Sequence, residues 1–524
     1  MTVTPEKTPE KDPEKIPDLR VVDAVRLHGD WVTGAGDLYT VVDPATGAEV
    51  QTIHQISAEQ ARAAIDAADT AFRTSGWRDL MPHERAAGLR RIADGIDRNR
   101  ERLARIQTAN TGKTLTETTK LVASAAGTFR YYAAAVESRQ EAVTPRRGPW
   151  DTVSVLEPLG VVAAITPWNS PIASDAQKIA PALAAGNAVV LKPAEWTPLV
   201  AMALMEIVVA SGLPEGLVTV LPGKSAVIGD AITGHPAVAK ISFTGGTGAG
   251  KRIAHQAADR LIPTTLELGG KSPTIVCEDA DVDQALQGVL FGIFSSTGQS
   301  CIAGSRLFVH RSIYRGFVDE LVRRARQLRI GPGTDPATDV GPLVHARHRD
   351  TVHGYVERAR GEGGTVLCGG KAPDATELAD GNYYEPTVIE GLANSSDTCQ
   401  EEIFGPVLVC LPFDDEDDLV DQANDTVYGL AVGIWTPAYL RARRLARRID
   451  AGTVWINTYK QFSISTPFSG FKDSGLGVDK GLDGLAEYSK RKSLYWGLDQ
   501  APMGWGRPTP HPSDHDTSHT EETS

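Results

Sequence analysis

Two α/β domains, each built on a parallel sheet, are what the sequence predicts, and three observations carry that prediction. From residue 159 onward, short Val- and Ile-rich runs at 161–165, 187–191, 217–221 and 239–243 alternate with stretches of helical periodicity. The unit recurs about every 25 to 30 residues, the length of a parallel strand with its crossover helix. A second series begins near Pro273 and runs to about residue 466, with strand candidates at 306–310, 406–412 and 430–436. Finally, the chain has 524 residues, and about 150 residues per domain allows roughly three domains or two large ones. A single small binding module is excluded.

Taken in order, residues 5–17 repeat Pro-Glu-Lys every fourth position. Proline at that spacing forbids a continuous helix and there is no apolar face to bury, so a disordered tail is expected. Residues 57–76 and 82–112 place Ala, Ile and Leu at helical spacing, as in Ala86, Leu89, Ile92, Ile96 and Leu103, and read as two amphipathic helices. After the two strand series, residues 501–524 return to proline with Ser, Thr, Asp and Glu. His511, His515 and His519 fall four apart there, but the prolines argue against the helix that would gather them on a metal; no metal is expected.

Composition narrows the function. Hydrophobic residues make up 41% and charged residues 23% of the chain, with a net charge of -13. Such a chain buries a core and repels phosphate backbones, so nucleic acid is an unexpected partner. Five cysteines without a close pair read as reduced thiols in a cytoplasmic protein. No apolar run reaches the roughly 18 residues of a membrane span, and neither membrane insertion nor export is expected.

Three motifs have plain readings. Gly245-Gly246-Thr247-Gly248-Ala249-Gly250-Lys251 follows a strand candidate and fits G-x-x-x-x-G-K, but Arg252 stands where a nucleotide triphosphatase needs Ser or Thr for magnesium. Glycines at a helix start still offer N–H groups and a positive dipole to a dinucleotide pyrophosphate. The acidic run Asp414–Asp418 reads as a solvated helix start. Asn394 and Asn424 lie in glycosylation sequons that are inert without secretion.

The strongest constellation pairs Leu266-Glu267-Leu268-Gly269-Gly270-Lys271 with Thr297-Gly298-Gln299-Ser300-Cys301-Ile302. A carboxylate and a thiol both sit among glycines and small residues, where backbone approaches a ligand closely. These segments resemble the glutamate and cysteine signatures of the NAD(P)-dependent aldehyde dehydrogenase superfamily. The likeness extends through Leu27-His28-Gly29-Asp30-Trp31, Asp43-Pro44-Ala45-Thr46-Gly47, Thr166-Pro167-Trp168-Asn169, Lys192-Pro193-Ala194-Glu195, Phe243-Thr244-Gly245, Glu401-Glu402-Ile403-Phe404-Gly405-Pro406 and Pro467-Phe468-Ser469-Gly470.

The resemblance implies two Rossmann-like parallel-sheet domains plus a small β oligomerisation flap. Residues 27–140 and 159–266 would bind NAD, 267–482 would be catalytic, 141–158 and 483–500 would form the flap, and 1–26 and 501–524 would be tails. It implies Cys301 as nucleophile, Asn169 as oxyanion donor, Glu267 as the base that activates water, and Lys192 either as an assistant positioning cofactor and Asn169 or as a ribose ligand. Cofactor contacts would come from Thr166, Trp168, Lys192, Glu195, Gly245, Gly246, Thr247, Leu268, Glu402 and Phe404. The carboxylate of Glu195 would repel the 2′-phosphate of NADP, so NAD is preferred. The expected partners are a small-molecule aldehyde and further copies of the chain, as a homodimer or homotetramer.

Trp168, Ile302 and Phe462 would line the aldehyde passage, which suits a medium-sized aliphatic or aromatic aldehyde. Lys460 beside Phe462 offers an alternative, pairing with the carboxylate of a semialdehyde acid. Ser295 and Ala135 occupy places where some relatives carry Trp, which disfavours betaine aldehyde. Three positions depart from the family pattern: Gly246 replaces a common Ser, Ser469 replaces Gly, and Val478-Asp479 replaces Arg-Glu.

Overall fold

The structure, a computed structural model, describes residues 19–27, 29–499 and 505–506. The Pro-Glu-Lys repeat and the three C-terminal histidines lie outside the described residues. No described helix is long and apolar enough to cross a membrane. Among the described residues no cluster of His, Cys, Asp and Glu has metal-ligand geometry.

Two sheets organise the larger of two compact units. The first has six strands in the order Gly475–Leu476, Thr264–Glu267, Val238–Thr244, Val161–Ile165, Ala188–Lys192 and Val218–Val220. All pair in parallel except Gly475–Leu476. Every residue of Val161–Ile165 and Ala188–Lys192 is buried, as expected where helices cover both faces of a parallel sheet. The second sheet runs Thr365–Cys368, Thr387–Glu390, Val407–Phe413, Arg306–His310, Pro273–Val276, Ala431–Trp435 and Thr453–Ile456, with only the Thr365–Cys368 edge antiparallel. Its one deeply buried cation, Arg306, donates to the carbonyls of Lys271, Gln422 and Ala423 and to Asn394 Oδ1. Those acceptors replace the water that the guanidinium gives up on burial.

The helix read at 57–76 is Ala58–Thr74, started by a capping box in which Ser57 and Gln60 bond each other's backbone N–H. The helix read at 82–112 is two helices, Pro82–Arg98 and Arg100–Thr111. Asn99 breaks them: its φ of -105° and ψ of 16° leave the helical region, and its Nδ2 donates to Gly95 O at 2.8 Å. Asp415 caps Glu416–Asn424 by accepting from the N–H groups of Asp417 and Asp418, so the acidic run is a helix start.

The second unit, Gln140–Glu157 with the chain from Arg491, carries a three-stranded sheet of Ser489–Gly497, Trp150–Pro158 and Ala142–Thr144. Lys492 reaches Glu157 at 3.0 Å within it.

Candidate active site

A cleft of about 530 Å³ opens where the strands Val161–Ile165, Ala188–Lys192, Val238–Thr244 and Thr264–Glu267 end. Ligands collect at the carboxyl ends of strands in open α/β sheets because helix N-termini and loops converge there. Thr166, Trp168, Asn169, Lys192, Glu195, Gly245, Gly246, Leu268, Cys301, Glu402 and Phe404 all line it. Thr247, Glu267, Ile302 and Phe462 do not. Ile302 is 4% exposed in a cluster with Leu430, Ala431, Trp455 and Tyr459, against which Cys301 also packs. Phe462 is 51% exposed, its ring against those of Trp455 and Phe468.

Cys301 is the one cysteine of five that is not fully buried. It follows a tight segment in which Ser296, Thr297 and Gly298 have φ of 56°, 57° and 68°, a left-handed run that costs energy at the two non-glycine positions. Hydrogen bonds hold it in place. Ser296 N and Oγ donate to Glu117 Oε1, Thr297 Oγ1 donates to Gly341 O, and Gln299 Oε1 accepts from Val344 N. A Cβ at Gly298 would lie 2.0 Å from Gly405 O. Gly298→Ala is therefore expected to displace the segment, lowering the thermal midpoint and cutting activity at least about 10-fold, as read by calorimetry and initial rates. Gly270 serves the same packing from the other side, since a Cβ there would lie 2.4 Å from Cys301 O.

Asn169 follows the strand Val161–Ile165, and its Nδ2 donates to Gln299 O at 3.0 Å. An amide nitrogen has two N–H donors, so this bond aims the group toward the cysteine segment and leaves a second donor. Burial pushes the Cys301 thiol up to about 12, with Glu402 and Glu267 adding to the rise and Lys480 opposing it. Glu267 is 4% exposed, and neither carboxylate oxygen has a protein partner. Burial, then the charge of Asp479, holds its carboxyl well above the usual carboxylate range, against Lys178 and Lys480. Asp479 itself pairs with the buried Lys178 at 3.3 Å. The departure at Val478-Asp479 thus keeps a carboxylate on that lysine.

The other end of the cleft suits a dinucleotide. Gly246 starts the helix Thr247–Arg260 with no side-chain cap, leaving first-turn N–H groups for an anion. A Cβ at Gly246 would meet nothing within 4 Å, so the missing Ser hydroxyl is a lost contact rather than a packing demand. Thr247 Oγ1 accepts from Gly269 N at 3.2 Å and is engaged by the protein. Lys192 has only Pro193 O at 3.3 Å, and burial brings its amine down to about 8 against the pull of Glu195. Glu402 accepts from Gly270 N at 3.1 Å, and burial raises its carboxyl to about 7. Phe404, at φ 57°, packs its ring edge-on to Trp168, and its carbonyl accepts from His348 Nε2 at 2.8 Å.

Sequence reasoning missed His348, Ser225 and Trp196 on the cleft wall and the lysines Lys178 and Lys480 near Glu267. Trp196 adjoins the Lys-Pro-Ala-Glu string and Lys480 adjoins the Val478-Asp479 departure, so both were within reach of the motifs. His348 comes from the second sheet's region, with no local signal.

The sequence model of the Aldehyde dehydrogenase family matches residues 31–494. A betaine aldehyde dehydrogenase of Brucella anthropi is 41% identical over 457 residues, 87% of this chain and 93% of the relative. One of Bacillus subtilis is 38% identical over 481 residues, 91% and 98% of the two chains. Among solved structures, a betaine aldehyde dehydrogenase of Staphylococcus aureus in complex with NAD+ superposes with a TM-score of 0.92 at 36% identity, covering 94% of this chain and 98% of that one. The NAD+ complex of an aldehyde dehydrogenase from Bacillus cereus gives 0.88 at 36% identity, covering 91% and 96%.

Proposed function

The chain belongs to the aldehyde dehydrogenase family, and from that premise we propose that it oxidises an aldehyde to the carboxylic acid with NAD, through a covalent intermediate on Cys301. The observation that carries this reading is the meeting, in one cleft, of the partly exposed cysteine, the aimed amide of Asn169 and the uncapped glycine helix start.

The thiol of Cys301, on the wall of the open cleft, gives up its proton to solvent and its sulfur attacks the aldehyde carbon, forming a thiohemiacetal. Charge develops on the former carbonyl oxygen. The free N–H of Asn169 and the backbone N–H of Cys301 are the donors for it, and one such donor is typically worth about 2.7–4 kcal/mol of barrier. NAD, when bound along Lys192, Glu195, Gly245, Gly246, Glu402 and Phe404, supplies the hydride acceptor. Loss of hydride leaves a thioester on Cys301. Glu267 then takes a proton from water, the resulting hydroxide adds to the thioester carbon, and the acid departs as the thiol re-forms.

On the cofactor, the half-buried carboxylate of Glu195 on the cleft wall disfavours a 2′-phosphate. On the substrate, we read a medium-sized aliphatic or aromatic aldehyde. The relatives' names favour a second reading, betaine aldehyde. Against it, Ser295 donates to Phe291 O and accepts from Lys460 Nζ, supplying no ring to that wall. An aldehyde panel with NAD and NADP tests both. The expected result is reduction of NAD at least about 10-fold more efficiently than NADP, with uncharged or anionic aldehydes ahead of betaine aldehyde. A clear preference for betaine aldehyde would hand the site to the second reading.

A further inference from the structure

Resting on the cysteine-centred reading above, we propose that Glu117, which does not line the cleft, is a positioning residue that sets how fast Cys301 reacts, by holding Ser296 in the left-handed turn that leads to the nucleophile. The turn is strained at two positions. Ser296 and Thr297 stand at φ 56° and 57°, and neither is glycine. Residues in that region persist only where their surroundings over-determine them. Ser296 O accepts from Gln299 N at 3.0 Å to close the turn, and Gln299 O accepts in turn from Asn169 Nδ2. A shift at Ser296 therefore reaches both Cys301 and the amide that serves it.

One carboxylate spans two elements. Glu117 is the third residue of the helix Leu115–Ser138. Its Oε2 accepts from Thr114 N at 3.2 Å and from Thr114 Oγ1 at 3.1 Å, completing the capping box at the helix start. The box needs only that oxygen. Oε1 accepts from Ser296 N at 2.8 Å and Ser296 Oγ at 2.9 Å, 179 residues further along the chain.

The helix start is itself fixed. Leu115 N donates to Gly333 O at 2.8 Å, and Cβ atoms at Gly333 and Gly341 would lie 2.2 Å from Lys113 O and 2.3 Å from Gly112 O. Thr297 Oγ1 donates to the carbonyl of that same Gly341. Neighbouring charges keep the carboxylate ionised. Burial would raise the Glu117 carboxyl, but Lys113, the bond from Ser296 and the charge of Lys460 hold it below the usual carboxylate range. An ionised acceptor makes the stronger hydrogen bond. Lys460 donates to Ser295 Oγ at 2.9 Å, so opposite charges grip two adjacent serines.

The test is the rate constant of the NADH burst in stopped flow, which reports the reacting enzyme whatever fraction of a preparation is folded. Glu117→Leu should slow it about 10- to 100-fold, the scale of a nucleophile moved by about an ångström. Glu117→Asp keeps the charge but is one methylene short of Ser296, and should slow the burst at least about 5-fold on the same ground. Glu117→Gln, uncharged but with an acceptor in reach, should stay within about 3-fold of wild type, the loss of a neutral for a charged acceptor. Glycine adopts positive φ freely, so in a Ser296→Gly background the effect of Glu117→Leu should shrink below about 3-fold. A thermal midpoint that falls while the burst rate constant holds marks a merely structural residue and overturns the proposal. Glu117→Gln as slow as Glu117→Leu, or a loss undiminished by Ser296→Gly, overturns it too. If Glu117→Leu does not fold, Glu117→Asp against Glu117→Gln decides. If wild type shows no burst with any aldehyde, the cysteine reading falls and the proposal with it; if wild type bursts and Glu117→Leu bursts as fast, only the role of Glu117 falls.

Discussion

Cys301→Ala is expected to abolish aldehyde-dependent NADH formation, a loss on the order of 10⁴- to 10⁶-fold of the kind that removing a nucleophile produces. No other thiol can substitute, because Cys277, Cys368, Cys399 and Cys410 are buried. The variant should fold. The segment is fastened through Ser296, Thr297 and Gln299 rather than through the sulfur, and alanine is smaller than cysteine. An unchanged thermal midpoint beside a vanished rate separates chemistry from stability. Residual turnover within about 10-fold of wild type would remove Cys301 from the mechanism.

Glu267→Gln should be nearly as damaging but differently shaped. The first half-reaction needs no base at Glu267, so a rapid burst of NADH should survive while steady turnover falls by on the order of 10²- to 10⁴-fold. Stopped-flow absorbance reads the two phases. The wild-type pH profile follows from the same residue. Its carboxyl is raised well above 4.5, and the base form is lost as pH falls through that raised value. The acid limb of kcat should therefore lie well above the ordinary carboxylate range, and Glu267→Gln should lack it. Stability runs in the opposite sense. A folded-state pKa above the unfolded one contributes stability at low pH that is lost as pH rises through the folded value. Above that range Glu267→Gln, which has no charge to desolvate, should be at least as stable as wild type.

Much of this site was legible in the chain because its residues cluster in short glycine-rich strings whose backbone geometry is demanding. Gly298 and Gly270 flank the cysteine where a Cβ would collide, and the parallel strands announce themselves as unbroken apolar runs. The long helix Leu115–Ser138 went unread. Apart from Phe129 and Tyr132 its buried face is Ala, Thr and Val, so its apolar period is faint, although Thr114 and Glu117 spell a capping box. Asn99 splits a single periodic stretch by a local side-chain bond that periodicity does not register. Lys480, though next to the Val478-Asp479 departure, went unread for another reason. Its meaning comes from Phe462, Phe468 and Glu267, which long-range packing brings to it. Lys460, picked out from its place beside Phe462, donates to Ser295 Oγ at 2.9 Å.

The central claim is a covalent acyl group on Cys301. Mass spectrometry of Glu267→Gln, quenched after mixing with an aldehyde and NAD, tests it most directly. The account predicts that the peptide containing Cys301 gains the mass of the acyl group, dependent on NAD and removed by hydroxylamine. An unmodified Cys301 peptide during the NADH burst, or an acyl group on another residue, would contradict it.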